Sequence, residues 1–194
     1  MDATIEYYEK NAKEYFIRTV NIKMDDLYEE FEKYLYPGAK ILDLGCGSGR
    51  DSKYFLAKGY EVVSVDGSYE MCKLAEEYIG NTVYNIKFED LNYNDEFDAI
   101  WASASLLHIK KHSLLQVMNE VIRALKDQGV LYASWKYGSG PRCEDNRYYY
   151  DLSRAEICEL LESNSAEVIK TWRSQDNLGR ADSWVNILVK KHSR

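Results

Sequence analysis

The sequence predicts an α/β fold: a doubly wound, mostly parallel seven-stranded sheet with helices on both faces and an antiparallel hairpin at the C-terminus. Three observations carry this. Strand-like and helix-like segments alternate along most of the 194 residues, the pattern of a parallel sheet joined by helical crossovers. The early strands, such as Glu61-Val62-Val63-Ser64-Val65, are near-continuous apolar runs, as strands covered on both faces require. Finally, the first strand runs directly into a glycine turn and a helix, Lys40-Ile41-Leu42-Asp43-Leu44-Gly45-Cys46-Gly47-Ser48-Gly49-Arg50-Asp51, where a ligand can approach the backbone closely.

In chain order, Thr4 to about Arg18 is polar-aromatic and helical. Met24, Leu27, Tyr28, Phe31, Tyr34 and Leu35 then recur at helical spacing until Pro37-Gly38 stops the helix. The strand 40–44, a helix from Arg50 to about Lys58 ended by Gly59, and the strand 61–65 make a βαβ unit. Ser68 caps a helix reaching Ile79, and residues 83–87 and 97–102 read as strands. Ser113 with Gln116 forms a capping box for a helix whose stripe includes Leu114, Val117, Met118, Val121 and Ile122. The strand 129–136 follows, then a loop over 137–151. A second capping box, Ser153 with Glu156, starts a helix to about Ser163, and strands near 167–173 and 183–190 finish the sequence. Length suits one domain spanning 1–194, divided into an N-terminal helical lid (1–36), a ligand-binding core (38–136) and a C-terminal segment (137–194).

The N-terminus lacks the basic and apolar regions of a signal peptide and no apolar run reaches membrane-spanning length, so a cytoplasmic location away from membranes is expected. The four cysteines show no CxxC pair and no Cys/His cluster of zinc spacing, so no metal is expected. The formal charge of −7 disfavours nucleic acid as a partner. The charge is uneven: residues 1–133 carry 15 basic and 23 acidic side chains, a net of −8, while 134–194 carry 10 and 9, a net of +1. Lys136, Arg142, Arg147, Arg154, Arg173 and Arg180 lie there among Trp and Tyr, a setting suited to an anionic or aromatic small molecule.

A dinucleotide fingerprint needs its third glycine three positions after the second; Arg50 occupies that place. Asp43, two residues before the first glycine, disfavours a pyrophosphate and suits a cationic cofactor. The stretch Ile41-Leu42-Asp43-Leu44-Gly45-Cys46-Gly47-Ser48-Gly49 closely resembles motif I of the Rossmann-like, class I S-adenosylmethionine (SAM)-dependent methyltransferases. The resemblance extends over roughly 38–136. Asp66 ends the second strand 21 residues beyond Gly45, where a carboxylate meets a ribose diol. Phe88-Glu89-Asp90-Leu91 resembles the segment that meets adenine, and Ser103-Ala104-Ser105-Leu106-Leu107-His108 the family's segment after the fourth strand. Asp127-Gln128 departs from the family's Pro-Gly in a turn remote from the ligand end. The run Gly47 to Ser52 is also similar to small bacterial methyltransferases of the tellurite-resistance type.

The resemblance implies SAM as cofactor, S-adenosylhomocysteine (SAH) as product, and cofactor contacts from Asp43, Gly45, Cys46, Gly47, Gly49, Asp66, Gly67, Met71, Glu89, Asp90, Leu91, Ala102 and Ser103. His108 is the candidate general base, because it follows the fourth strand on the ligand side and histidine titrates near neutrality. Tyr7, Tyr15, Arg18, Trp135, Lys136, Arg147 and Tyr149 are candidate acceptor contacts, and Tyr8, Phe16, Tyr148, Trp172, Arg173 and Trp184 are further ones. The implied function is methyl transfer to a small-molecule acceptor by a monomer or homodimer. A noncatalytic SAM-binding protein or accessory subunit, an RNA methyltransferase and an NAD-dependent oxidoreductase are the alternatives.

Overall fold

The computed structural model describes residues 2–162, 166–177, 179 and 183–193. Seven strands form one sheet in the order β3-β2-β1-β4-β5-β9-β8. Its parallel part comprises β1 (Lys40–Leu44), β2 (Glu61–Asp66), β3 (Val83–Asn85), β4 (Phe97–Ala102) and β5 (Leu125–Lys136). The expected C-terminal hairpin, β8 (Ala166–Gln175) and β9 (Ser183–Lys191), enters antiparallel, with β9 inserted between β5 and β8. Strand order reverses beside β1, and ligand crevices open there, beyond the carboxyl ends of the strands.

Helices cover both faces. On one, α2 (Asp25–Glu32) and α3 (Arg50–Ala57) bring Tyr28, Phe31 and Phe55 against Ile41, Trp101 and Tyr132. On the other, α5 (Lys111–Ala124) and α6 (Arg154–Glu162) bury Leu114, Val117, Met118, Val121, Ile157 and Leu161 against Leu42, Leu44, Ile100 and Leu131. α4 (Tyr69–Ile79) is capped by Ser68 as expected, its hydroxyl accepting the Met71 N–H at 3.3 Å, and α1 (Ala3–Thr19) lies against α4 through an edge contact of Phe16 on Tyr78. Asp2 caps α1, and Asn11 bends it: its backbone leaves helical geometry while its side-chain amide donates to the Tyr7 carbonyl.

Two expectations need correction. The segment 137–151 is not a loop; it holds a second hairpin, β6 (Gly140–Glu144) with β7 (Arg147–Asp151). Asp145 and Asn146 form its two-residue turn, both with positive φ (51° and 62°), the mirror-image geometry whose twist matches paired strands. The Ser113/Gln116 box does not form either. Ile109 is pinned in the core, the helix begins two residues earlier than Ser113, and Ser113 donates its own N–H to the Lys110 carbonyl inside the first turn. The Ser153/Glu156 box is present, with Glu156 accepting the Ser153 N–H at 2.8 Å. The expected end of α6 at Ser163 and Arg180 lie outside the described residues. No helix among the described residues is long and apolar enough to cross a membrane.

Candidate active site

The glycine turn is shaped by packing. A Cβ on Gly45 would stand 2.5 Å from the Cβ of Ser105, and one on Gly49 would stand 2.7 Å from Ile79 of α4. Both residues also hold φ near +75°, which disfavours any side chain. The turn's N–H groups do not point at a ligand as the sequence suggests. Gly45 and Cys46 donate to the Val65 carbonyl, Gly49 to Cys46, and Gly47 to the Asp66 carboxylate at 2.9 Å. What the turn presents to the larger of two adjoining cavities is the side-chain-free surface of Gly45 and Gly47, while Cys46 and Ser48 face the smaller one.

That surface divides two cavities. The larger, about 390 Å³, runs along Gly45, Gly47, Asp66, Gly67, Met71, Phe88, Glu89 and Asp90 and is closed by Ile5, Tyr8 and Tyr15 of α1. The smaller, about 150 Å³, is walled by Tyr15, Arg18, Cys46, Ser103, Tyr132, Lys136, Arg147, Tyr149, Asp176, Trp184 and Asn186. Gly45, Gly47, Ala104, His108, Tyr8 and Tyr15 belong to both.

Asp66 stands in the larger cavity with Oδ2 on the Gly47 N–H and Oδ1 on the Ser68 N–H, 2.9 Å each. Burial raises its pKa, and these backbone donors oppose the rise. Each oxygen keeps acceptor capacity, so the carboxylate can still receive a diol. The lining of the larger cavity suits an adenosyl cofactor: Asp66 with spare acceptor capacity, the acidic pair Glu89 and Asp90, and the glycine surface of Gly45 and Gly47.

Behind the turn lies an acidic layer, of which Asp51 lines the smaller cavity and Asp43 lines neither. Asp43 is buried and accepts the Ser52 hydroxyl at 2.5 Å, with Ser64 beyond at 2.7 Å; burial, then the nearby Asp51, raises its pKa. Asp51 is held by both forks of Arg50 (2.7 and 2.8 Å), by Trp101 Nε1 (2.9 Å) and by the Tyr28 hydroxyl. Burial works to raise the Asp51 pKa, and the Arg50 charge with these donors outweighs it, leaving it lowered. The cationic partner expected for Asp43 is thus replaced by a seryl hydroxyl of α3, and its carboxylate supports the turn from beneath.

His108 also differs from expectation. Nδ1 lies 2.7 Å from the Tyr148 carbonyl, which can only accept, so Nδ1 carries the proton. Nε2 is then the acceptor, and the Tyr8 hydroxyl donates to it at 2.9 Å. Burial pushes the His108 pKa down to about 4, opposed by the Tyr148 contact and aided by the Arg147 charge. The ring is neutral rather than titrating near 7, and its one lone pair is occupied by Tyr8.

The smaller cavity draws on late elements. Lys136 pairs with Asp176 at 3.3 Å, both buried, and lies over the Trp184 ring, whose Nε1 also donates to Asp176 at 3.1 Å. Asn186 accepts the Tyr132 hydroxyl at 2.8 Å and donates to Ser174. The β6–β7 hairpin delivers Arg147 and Tyr149, anchored by the Tyr148 N–H on Thr4 at 3.0 Å.

Among the described residues, Asp43, Gly49, Leu91, Ala102, Tyr7 and Trp135 line neither cavity. Leu91, Ala102 and Trp135 are turned into the core, because they belong to the apolar set that packs against α5. Tyr7 acts one layer back, under the Arg147 guanidinium. Cys46 and Ser103, expected at the cofactor, face the smaller cavity instead. Asp176 and Asn186 were not singled out from the sequence; Asn186 had a signal, being the one polar residue in the buried run Val185 to Val189.

Comparison with known proteins agrees with this geometry. The methyltransferase domain family matches residues 42–133. A demethylmenaquinone methyltransferase of Renibacterium salmoninarum is 27% identical over 158 residues, covering 74% of this chain and 64% of the relative. An uncharacterized protein of Methanocaldococcus jannaschii is 34% identical over 128 residues, 64% of this chain and 48% of the relative. The chain spans about half the length of the first curated relatives it matches. In fold it is similar to the Burkholderia thailandensis 1,6-didemethyltoxoflavin-N1-methyltransferase, whose crystal structure holds 1,6-didemethyltoxoflavin and SAH; the TM-score is 0.82 at 20% identity, covering 98% of this chain and 88% of that one.

Proposed function

We propose that this chain, whose residues 42–133 match the methyltransferase domain family, is a class I SAM-dependent methyltransferase that transfers a methyl group to a small molecule seated in the 150 Å³ cavity. The observation that carries the reading is the shared wall: a donor in the larger cavity and an acceptor in the smaller one meet at Gly45, Gly47, Ala104, His108, Tyr8 and Tyr15. SAM supplies a sulfonium-activated methyl carbon, open to in-line displacement. Asp66 would hold the ribose diol, Asp90 beside Glu89 and Phe88 would meet the adenine amino group, and Gly45 and Gly47 would leave room for the reacting end.

The chain's part in the chemistry is mainly positioning. Tyr8 and Tyr15 of α1 close the junction and exclude water, which serves as the lid. With its hydroxyl proton directed at His108 Nε2 and the Arg147 guanidinium donating to its oxygen, Tyr8 keeps one acceptor position for a hydrogen bond from the acceptor's nucleophile. We assign Tyr8 and His108 this orienting role in place of proton abstraction by His108 alone.

Calorimetric titration should show SAM and SAH binding and no response to NADH. Incubation with methyl-labelled SAM and fractionated cell extract should carry label into a low-molecular-weight fraction. Label in RNA or protein would overturn the small-molecule reading, and tight SAM binding without any labelled product would favour a noncatalytic SAM-binding protein.

A further inference from the structure

The cations around the smaller cavity are not equivalent. Arg50 is locked in both forks of Asp51, Lys136 is ion-paired with the buried Asp176, and Arg18 is exposed to solvent. Arg147 is only 7% exposed, yet among the described residues its ionic contact is one 3.3 Å approach to Asp145, whose carboxylate is 67% exposed, and the Tyr8 hydroxyl that it also meets is neutral. Its Nε is buried with no hydrogen-bond partner among the described residues. The guanidinium lies between two rings, 4.5 Å from the centroid of Tyr7 and 5.3 Å from that of Tyr149. A buried cation that lacks a buried counter-charge and keeps an unmet donor is a costly arrangement. An anion from a ligand resolves it, and a planar one suits the guanidinium fork.

Building on the methyltransferase reading, we propose that the acceptor is a compact, single-ring monoanion, bearing a carboxylate or an ionised ring oxygen or nitrogen, and that Arg147 is the residue that recognises its charge. Size and walls point the same way. A cavity of about 150 Å³ holds a benzene-sized molecule, and Tyr132, Tyr149 and Trp184 supply aromatic surface around it. Arg147 lines the smaller cavity and not the larger, which assigns its charge to the acceptor rather than to the cofactor's own carboxylate.

The test uses the full chain saturated with SAH, titrated calorimetrically with benzoate and with its neutral isostere benzamide. Benzoate should bind at least tenfold more tightly. Arg147→Met should erase that difference while SAH affinity stays within twofold and the SAH-induced rise in melting temperature persists, showing that the variant folds. Arg147→Lys, which keeps the charge and loses the fork, should fall between. Equal binding of the two probes to the wild type, or binding of neither, overturns the proposal. So does a tenfold loss of SAH affinity in Arg147→Met, which would place the residue on the cofactor. If the wild type fails to bind SAH at all, the methyltransferase reading falls and this inference with it; loss of anion discrimination with SAH binding intact removes this inference alone.

Discussion

The larger and the smaller cavity of this molecule are built on different physical plans. The larger is made from consecutive strand ends and the turns after them: β1 gives the glycine turn, β2 gives Asp66, and the segment after β3 gives Phe88, Glu89 and Asp90. Each contributes from one short, contiguous stretch, and the backbone itself supplies much of the surface. The smaller is assembled from α1, the end of β5, the β6–β7 hairpin and the β8–β9 hairpin, so its chemistry depends on side chains brought together across more than 150 residues of chain. The Tyr148–Thr4 contact alone joins positions 144 residues apart. The lesson is that a cavity of the first kind is written locally, whereas one of the second kind exists only once the chain has folded.

That contrast can be broken most forcefully at the turn. Gly45→Ala places a Cβ 2.5 Å from Ser105 at a positive φ, and should destabilise the protein by about 2–4 kcal/mol and abolish measurable SAH binding; calorimetry and a thermal melt read both, and wild-type affinity would show that the turn is more plastic than its packing implies. Asp66→Ala comes next. Losing a charged acceptor for the diol and for the Gly47 and Ser68 N–H groups should weaken SAH by roughly 30- to 100-fold, about 2–3 kcal/mol. Trp184→Ala, on the acceptor side, should leave SAH affinity within about twofold; a loss as large as that of Asp66→Ala would mean the two cavities are not separable.

Smaller effects follow from titration. The folded pKa of His108, about 4, lies below its usual 6.5. Its stabilising contribution is therefore complete above pH 6.5 and is lost as pH falls toward 4, because the unfolded state takes up the proton first. Melting temperatures of the wild type and His108→Gln should diverge above pH 6.5 and converge through that window; parallel curves would refute a neutral buried ring. The smallest change belongs to Asp43→Asn. Burial holds the Asp43 pKa up to about 8, so its contribution is lost as pH rises from the unfolded value through the folded one, and an amide that still accepts from Ser52 should cost under about 1 kcal/mol at low pH, with the balance moving toward the variant from about pH 4 to 8. Abolished SAH binding in that variant would return Asp43 to a direct cofactor role.

Several misplacements share one cause. Trp135 and Ala102 sit at strand ends that look ligand-facing by position, but a side chain's face depends on which of two alternating directions the pleat assigns it, and both were assigned to the core. The 137–151 segment reads as a loop, although Asp145-Asn146 followed by Arg147-Tyr148-Tyr149-Tyr150 carries a hairpin signal. His108 was placed on the correct side of the sheet, but its protonation depends on a hairpin carbonyl and on Tyr8, both distant in sequence.

By itself the sequence determined the alternating architecture, the position of the glycine turn and the acids that line the larger cavity, because periodicity, glycine geometry and strand-end placement are local properties of the chain. Only the tertiary structure decided that the N–H groups of Gly45, Cys46, Gly47 and Gly49 bond within the protein, that Asp43 lies behind the turn against Ser52, that Tyr8 and His108 are paired, and that Arg147 is buried with no buried counter-charge among the described residues. Those outcomes depend on burial and on partners supplied by distant elements, and neither quantity exists until the chain has packed.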